Sequence, residues 1–291
     1  MRSREDRLRL GQVFDGVAED YDAVRPGYPP DLVDAALARG ALEAGAHVLE
    51  IGAGTGKLTE LLAMRGLEVD AVDPGPNMLA AARRRVADDA RVRFLLGRFE
   101  EVDLVPGAYD AVFSATAFHW VDPAVGWRKT ASLLRPDGLL ALLSHRFLPD
   151  EGSSSADAEF RELLRRYVPD AVDEIPPRQS METLLAGVDD RRDNASAVWD
   201  WLMSAKHGLS VPEAADLFTD VEVEARVEEG EQTADELRAH FRTTSLWFRI
   251  DPARREDFER EDRAVIERHG GRIRFSMAAV LMTARRSRAS A

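Results

Sequence analysis

An α/β fold with a doubly wound, largely parallel sheet is predicted for the first half of this 291-residue chain. Three observations predict it. Strand-like and helix-like stretches alternate with short turns from residue 10 to residue 146. The run Val48-Leu49-Glu50-Ile51-Gly52-Ala53-Gly54-Thr55-Gly56 is a buried strand that turns through three alternating glycines into a helix. The next strand, residues 68–73, ends on a second acid, Asp73. Glycines at a strand-to-helix turn let the backbone pass close to a ligand without Cβ clashes. An acid at the end of the following strand can hydrogen-bond vicinal ribose hydroxyls. A nucleoside-containing ligand is therefore expected across the first two strands.

The elements follow in order. A helix over 57–65 joins the first two strands, and Pro74-Gly75-Pro76-Asn77-Met78-Leu79 comes after the second. The third strand, 92–96, leads to Gly97-Arg98-Phe99-Glu100; the fourth, 109–114, runs into Ala115-Thr116-Ala117-Phe118-His119-Trp120. A helix and a turn at 134–138 precede the fifth strand, 139–143. Pro149 to Ser155 breaks the rhythm, and Ile175-Pro176-Pro177 breaks it again. Helices are expected over 156–168 and 195–206, the second with Val198, Trp199, Leu202 and Met203 at helical spacing. Val221, Val223, Ala225 and Val227 alternate through a strand at 218–227. Helices at 234–249 and 251–269, the latter stopped by Gly270, precede a last strand at 272–284.

The glycine turn matches neither phosphate motif. The dinucleotide fingerprint G-x-G-x-x-G wants glycine where Lys57 stands, and the third glycine comes one residue early, at Gly56. The phosphate loop G-x-x-x-x-G-K-[ST] fails because Leu58 follows Lys57. The form E-x-G-x-G-x-G, with the order and spacing of residues 10–146, resembles the class I S-adenosylmethionine-dependent methyltransferases. The resemblance implies a Rossmann-like, doubly wound sheet of seven strands, the last two antiparallel, with a helical cap insertion. It divides the chain into a cofactor-covering segment (1–30), a binding core (31–146), a helical cap insertion (147–216) and a sheet-completing part with further cap helices (217–291). S-adenosyl-L-methionine is the implied cofactor and S-adenosyl-L-homocysteine its product. The implied reaction methylates an O, N or C atom of a small organic molecule, as in enzymes of the ubiquinone-biosynthesis and trans-aconitate type or natural-product tailoring. Two other readings stay open: a regulatory protein that binds the cofactor without transferring methyl, and a nicotinamide-linked oxidoreductase.

By the same resemblance, Glu50 orients the loop Gly52, Ala53, Gly54 and Gly56 together with the ligand's amino group, and Asp73 takes the ribose hydroxyls. In Pro74 to Leu79, Met78 packs on the adenine and Pro74 also meets the cofactor, and the adenine edge borders Arg98 and Phe99. The backbone near Ser114 receives the ammonium, and Tyr21 or Arg25 reaches the carboxylate. An O- or N-nucleophile needs a base with a pKa near working pH; His119, past the fourth strand, and His145, past the fifth, stand where one would face the pocket. Trp199, Trp201, Phe241, Thr244, Ser245, Trp247 and Phe248 offer apolar walls with a few hydroxyls. No histidines pair with carboxylates at metal-ligand spacing, so no metal is expected.

Composition bounds the partners. With 45% hydrophobic residues the chain can bury a core, yet no apolar run nears the ~20 residues of a membrane span. The opening Met1 to Arg7 lacks the apolar centre of a signal peptide, and a cytoplasmic monomer or homodimer without membrane contact is expected. Zero cysteines exclude disulfides. The net charge of −13 argues against nucleic acid, whose phosphates need Lys and Arg. Residues 150–235 hold 22 acids against 8 Lys and Arg, which makes this segment the seat of the excess. An acidic cap of this kind favours a neutral or cationic acceptor over an anionic one.

Overall fold

The computed structural model describes residues 13–87, 89–172, 175, 177–203 and 208–288. The start of the expected covering segment (1–12), part of the second break and the end of the helix expected at 195–206 lie outside these residues. Seven strands form one sheet: β1 His47–Ile51, β2 Glu68–Asp73, β3 Val92–Leu96, β4 Tyr109–Ala115, β5 Leu134–Leu148, β6 Phe218–Thr233 and β7 Arg272–Arg286. Their order is β3-β2-β1-β4-β5-β7-β6. β1 to β5 are parallel, while β7 runs antiparallel between β5 and β6. β2 and β4 flank β1 on opposite sides, so the connections diverge there and leave a crevice beyond the carboxyl ends.

Both faces of the sheet are covered, which is why β1 is buried nearly throughout; Val48 and Leu49 are fully buried. Helices Pro30–Gly40 and Lys57–Met64 cover one face through Leu32, Val33, Leu58 and Leu62. Helix Pro123–Leu133 covers the other with Trp127, whose indole N–H donates to the Leu209 carbonyl (3.1 Å). Helices Met181–Asp189, Ala195–Leu202 and Ala214–Leu217 pack on that same face, with Trp199 fully buried. Much of the stretch 147–216 is therefore a core layer of the sheet. A separate cluster joins helix Ser154–Tyr167 to helix Arg255–Arg268 around Phe258, which stacks on Phe241 (5.1 Å) and meets Tyr167 edge-on (5.2 Å). No helix among the described residues is long and apolar enough to cross a membrane.

Three boundaries differ from expectation for local reasons. The turn at 134–138 is folded into β5 as an irregularity: Tyr109 pairs with Leu134, and pairing resumes at Ala111 with Leu139. The helix expected to 249 ends at Arg242, because the hydroxyls of Thr243 and Thr244 donate back to the carbonyls of His240 and Phe241 (both 2.7 Å). β6 runs on to Thr233, beyond the apolar alternation, and leaves Val227 exposed. β6 is an edge strand carrying Glu222, Glu224, Glu228, Glu229 and Glu231, so part of the acidic excess guards an open edge.

The glycines after β1 answer to different constraints. A Cβ on Gly52 would lie 2.2 Å from the Cβ of Ala117, so the turns after β1 and β4 touch there. Gly56 has φ 83° and opens helix Lys57–Met64, and a Cβ on it would sit 2.9 Å from the Cα of Ala82 on helix Pro76–Arg85. Gly56→Ala should therefore destabilise the chain by about 1–3 kcal/mol, from positive φ and overpacking together. Urea denaturation measures this; an unchanged midpoint would show that the two helices part freely.

Candidate active site

A cavity of about 640 Å³ opens at the carboxyl ends of the parallel strands. Its floor comes from the turns after β1, β2, β3 and β4, and its roof from residues 14–26 and 244–246. The backbone N–H groups of Gly52 and Ala53 both donate to the Val72 carbonyl (2.8 and 3.0 Å), which fixes the first turn against β2. Asp73 then holds two turns at once: one carboxylate oxygen accepts from Gly54 N (2.9 Å), the other from Gly75 N (2.8 Å). Glu50 is 1% exposed and accepts from the Thr59 hydroxyl (2.6 Å). A Cβ on Gly54 would meet no protein atom, so its open side faces the cavity.

Burial disfavours the charged form of both acids. It pushes Asp73 up to about 6 despite its two backbone donors. Glu50 rises to about 8, its Thr59 bond opposing and the Asp73 charge adding to the effect of burial. Burial likewise drives His145 down to about 4, where a neutral ring stacks on Tyr28 (4.8 Å). The Tyr28 hydroxyl pairs with that of Thr116 (2.5 Å), a β-branched residue held at φ 52° after β4. Such a conformation is rare for threonine and marks a turn fixed by its surroundings.

The roof is tied down by polar contacts from distant segments. Asp15 accepts from the backbone of Asn77 (2.8 Å) and Met78 (3.2 Å), capping helix Pro76–Arg85, which has no side-chain cap of its own. Asp22, on helix Ala18–Val24, receives two bonds from Arg85 (2.7 and 2.8 Å), and its carbonyl accepts from Lys57 (2.8 Å). Arg25 donates to the Thr243 hydroxyl (2.9 Å) and carbonyl (2.6 Å), joining this segment to the C-terminal helices. Phe14 meets Trp120 edge-on at 5.7 Å.

Of the residues expected at the site, Tyr21, Arg25, Glu50, Gly52, Ala53, Gly54, Asp73, Pro74, Met78, Arg98, Phe99 and His119 all line the cavity. Gly56, Ser114 and His145 are not among the lining residues. Gly56 packs against Ala82, and fully buried Ser114 donates its hydroxyl to the Ile51 carbonyl (2.7 Å). Ala115, Thr116 and Ala117 present the chain after β4 in its place. His119 is 8% exposed, with its ring against Trp120 (4.9 Å). Arg98 is paired with Glu100 (2.9 Å) and Glu101 (3.1 Å). Among the aromatic candidates, Trp199 and Trp201 belong to the sheet core, and Phe241 and Trp247 to the Phe258 cluster. Thr244 and Ser245 do reach the cavity, released by the helix break at Thr243. Arg146, Ile175 and Met203 line it as well, and no local motif pointed to them.

Comparison with known proteins points to a methyltransferase family and to the same fold. The profile of a methyltransferase domain family matches residues 48–138. An uncharacterized methyltransferase of Geobacillus kaustophilus is 31% identical over 158 residues, 51% of this chain and 73% of that protein. An uncharacterized methyltransferase of Mycobacterium tuberculosis is 44% identical over 137 residues, 47% of this chain and 54% of that protein; the chain spans about half the length of such relatives. A provisionally assigned type II methyltransferase of Anaeromyxobacter dehalogenans shares the fold, with a TM-score of 0.58 at 22% identity over 91% of this chain and 97% of the other.

The buried acids predict a pH dependence of stability. Both bind a proton more tightly folded than unfolded, so their contribution is full below the ordinary carboxylate range and falls as pH rises. Asp73 loses it by about pH 6 and Glu50 by about pH 8. His145, depressed to about 4, acts in the opposite sense below its ordinary 6.5. Glu50 is therefore isolated by comparison: between pH 6 and 8, wild type should lose stability relative to Glu50→Gln by up to ~1.4 kcal/mol per pH unit. Parallel denaturation curves for the two proteins across that range would contradict it.

Proposed function

Because this chain belongs to the class I S-adenosylmethionine-dependent methyltransferases, we propose that it transfers methyl from S-adenosyl-L-methionine to an O, N or C atom of a small organic molecule. The observation that carries this reading is the pair of buried acids, Glu50 and Asp73, ending adjacent parallel strands around the glycine turn. Each Asp73 oxygen spends one lone pair on a backbone N–H and keeps another for a ribose hydroxyl. The open side of Gly54 gives the ligand room against the backbone. These residues fit the cofactor, which when bound supplies a methyl group on a cationic sulfur, ready for in-line displacement.

The chain's own work is binding, orientation and proton handling. Glu50 would become ionised beside the ligand's ammonium, and the backbone of 115–117 would accept from it. Tyr21 or Arg25 would meet the carboxylate, with Arg25 already oriented by Thr243. Pro74 and Met78 would flank the adenine, and the Phe99 backbone would meet its edge, since the Arg98 side chain is committed to Glu100 and Glu101. His119 would take the proton of an O- or N-acceptor. His145, neutral and stacked on Tyr28, is suited to holding the Tyr28–Thr116 contact rather than to accepting protons near neutral pH.

Incubation of the full chain with methyl-labelled cofactor and a metabolite extract should label a small molecule; no transfer at saturating cofactor would contradict the proposal. Asp73→Ala should weaken S-adenosylhomocysteine binding by about 1.5–3 kcal/mol, and unchanged affinity would remove Asp73 from the site. His119→Ala should slow turnover by about a hundredfold or more with that affinity intact. Equal turnover in a saturated assay would leave His119 a packing role only.

A further inference from the structure

Arg146 sits on β5 and lines the cavity, yet nothing in the mechanism above uses it. Its Nε is buried without a hydrogen-bond partner, and among the described residues no carboxylate pairs with its guanidinium. Burial alone lowers its pKa, with no neighbouring charge contributing. A half-buried guanidinium with its Nε shut away from water and unpaired is costly to a fold. Arginine is always charged and presents a planar fork of donors, so the natural complement is an oxyanion from outside the chain.

Position separates this group from the cofactor contacts. In the order β2-β1-β4-β5, Arg146 stands three strands from Asp73, about 14 Å across the sheet. Among the described residues, the acids lining the cavity are Asp15, Glu50, Asp73 and Glu100, all on the N-terminal segment or at the carboxyl ends of β1 to β3 and the turns that follow. Asp15 is spent on Asn77 and Met78, and Glu100 on Arg98. Among the described residues, the acidic stretch 150–235 gives the cavity only Ile175 and Met203. Among the described residues, then, the carboxylates of this stretch do not line the site. The ends of β4 and β5, with Met203 beside them, offer instead an aromatic and apolar wall, Trp120, Val121 and Met203, next to Arg146, a cation with no carboxylate partner among the described residues.

We propose that Arg146 anchors the methyl acceptor by an anionic oxygen group, a carboxylate above all, and so makes this a methyltransferase of small organic acids. The inference rests on the methyltransferase reading and names its substrate class. The anion is a handle, because an oxygen held by a guanidinium is a poor nucleophile; the methylated atom lies elsewhere in the acceptor, toward His119.

The test uses the full chain saturated with S-adenosylhomocysteine and titrated calorimetrically with benzoate and cinnamate, each against its uncharged amide. The acids should bind about tenfold or more tightly than the amides, and Arg146→Met should abolish that preference. The variant should keep S-adenosylhomocysteine affinity within about twofold and melt no lower than wild type, since an unpaired buried charge is removed. Weakened S-adenosylhomocysteine binding in the variant would assign Arg146 to the cofactor and overturn the inference. Acids and amides alike in wild type, both silent included, would overturn it too, as would a clear fall in Tm, which would make Arg146 structural. Failure of wild type to bind S-adenosylhomocysteine falls on the methyltransferase reading alone, and the same acid–amide comparison on the ligand-free chain then decides Arg146.

Discussion

The carboxylate of Asp73 is the constraint on which the site depends. It ends β2 and accepts at once from Gly54, in the turn after β1, and from Gly75, in the turn after its own strand. Two loops that would otherwise move separately are thereby locked to one charged group. The two N–H bonds from Gly52 and Ala53 to the Val72 carbonyl continue the lock along the β1–β2 seam. Burying Asp73 and Glu50 together raises both above the ordinary carboxylate range, energy that an empty fold gains nothing from. A ligand bearing hydroxyls and a cation would recover it, which is the physical ground for proposing the cofactor site here.

Around this lock the roof is assembled from pieces far apart in the chain. Asp15 and Asp22 fasten the N-terminal segment to helix Pro76–Arg85 through a borrowed helix cap and an arginine pair. Arg25 then reaches Thr243, where two hydroxyl back-bonds stop a helix and turn Thr244 and Ser245 toward the cavity. Trp120 and Phe14 close the aromatic side. The roof is polar at its joints and apolar toward the ligand, a combination that binds small molecules while shedding water.

How much of this was legible in the chain depends on range. Glu50, Asp73 and the glycines between them were readable because strand ends and positive-φ turns leave local signatures. Gly56 shows the limit even there. It follows the glycine pattern, but its duty is contact with Ala82, 26 residues on, which no local pattern encodes. Ser114 was placed on the right strand end, yet its hydroxyl turns inward to Ile51 and the next three residues face the cavity. Trp199 carried the helical stripe of a buried face without saying which surface buried it. The acidic excess was plain in composition, while the seat of part of it on an edge strand was a matter of topology. Arg146 was invisible for the same reason: what marks it is that no carboxylate lies beside it among the described residues.

The measurement that bears most directly on the paired-acid site is a calorimetric titration with S-adenosylhomocysteine at pH 7 in two buffers of different ionisation enthalpy, with NADH as control. With Glu50 near 8 in the free chain, bringing an ammonium against it should ionise it, so S-adenosylhomocysteine should bind with net proton release and NADH should not bind. Binding of NADH in preference, or binding of S-adenosylhomocysteine without any exchange of protons, would contradict a cofactor site built on these two acids.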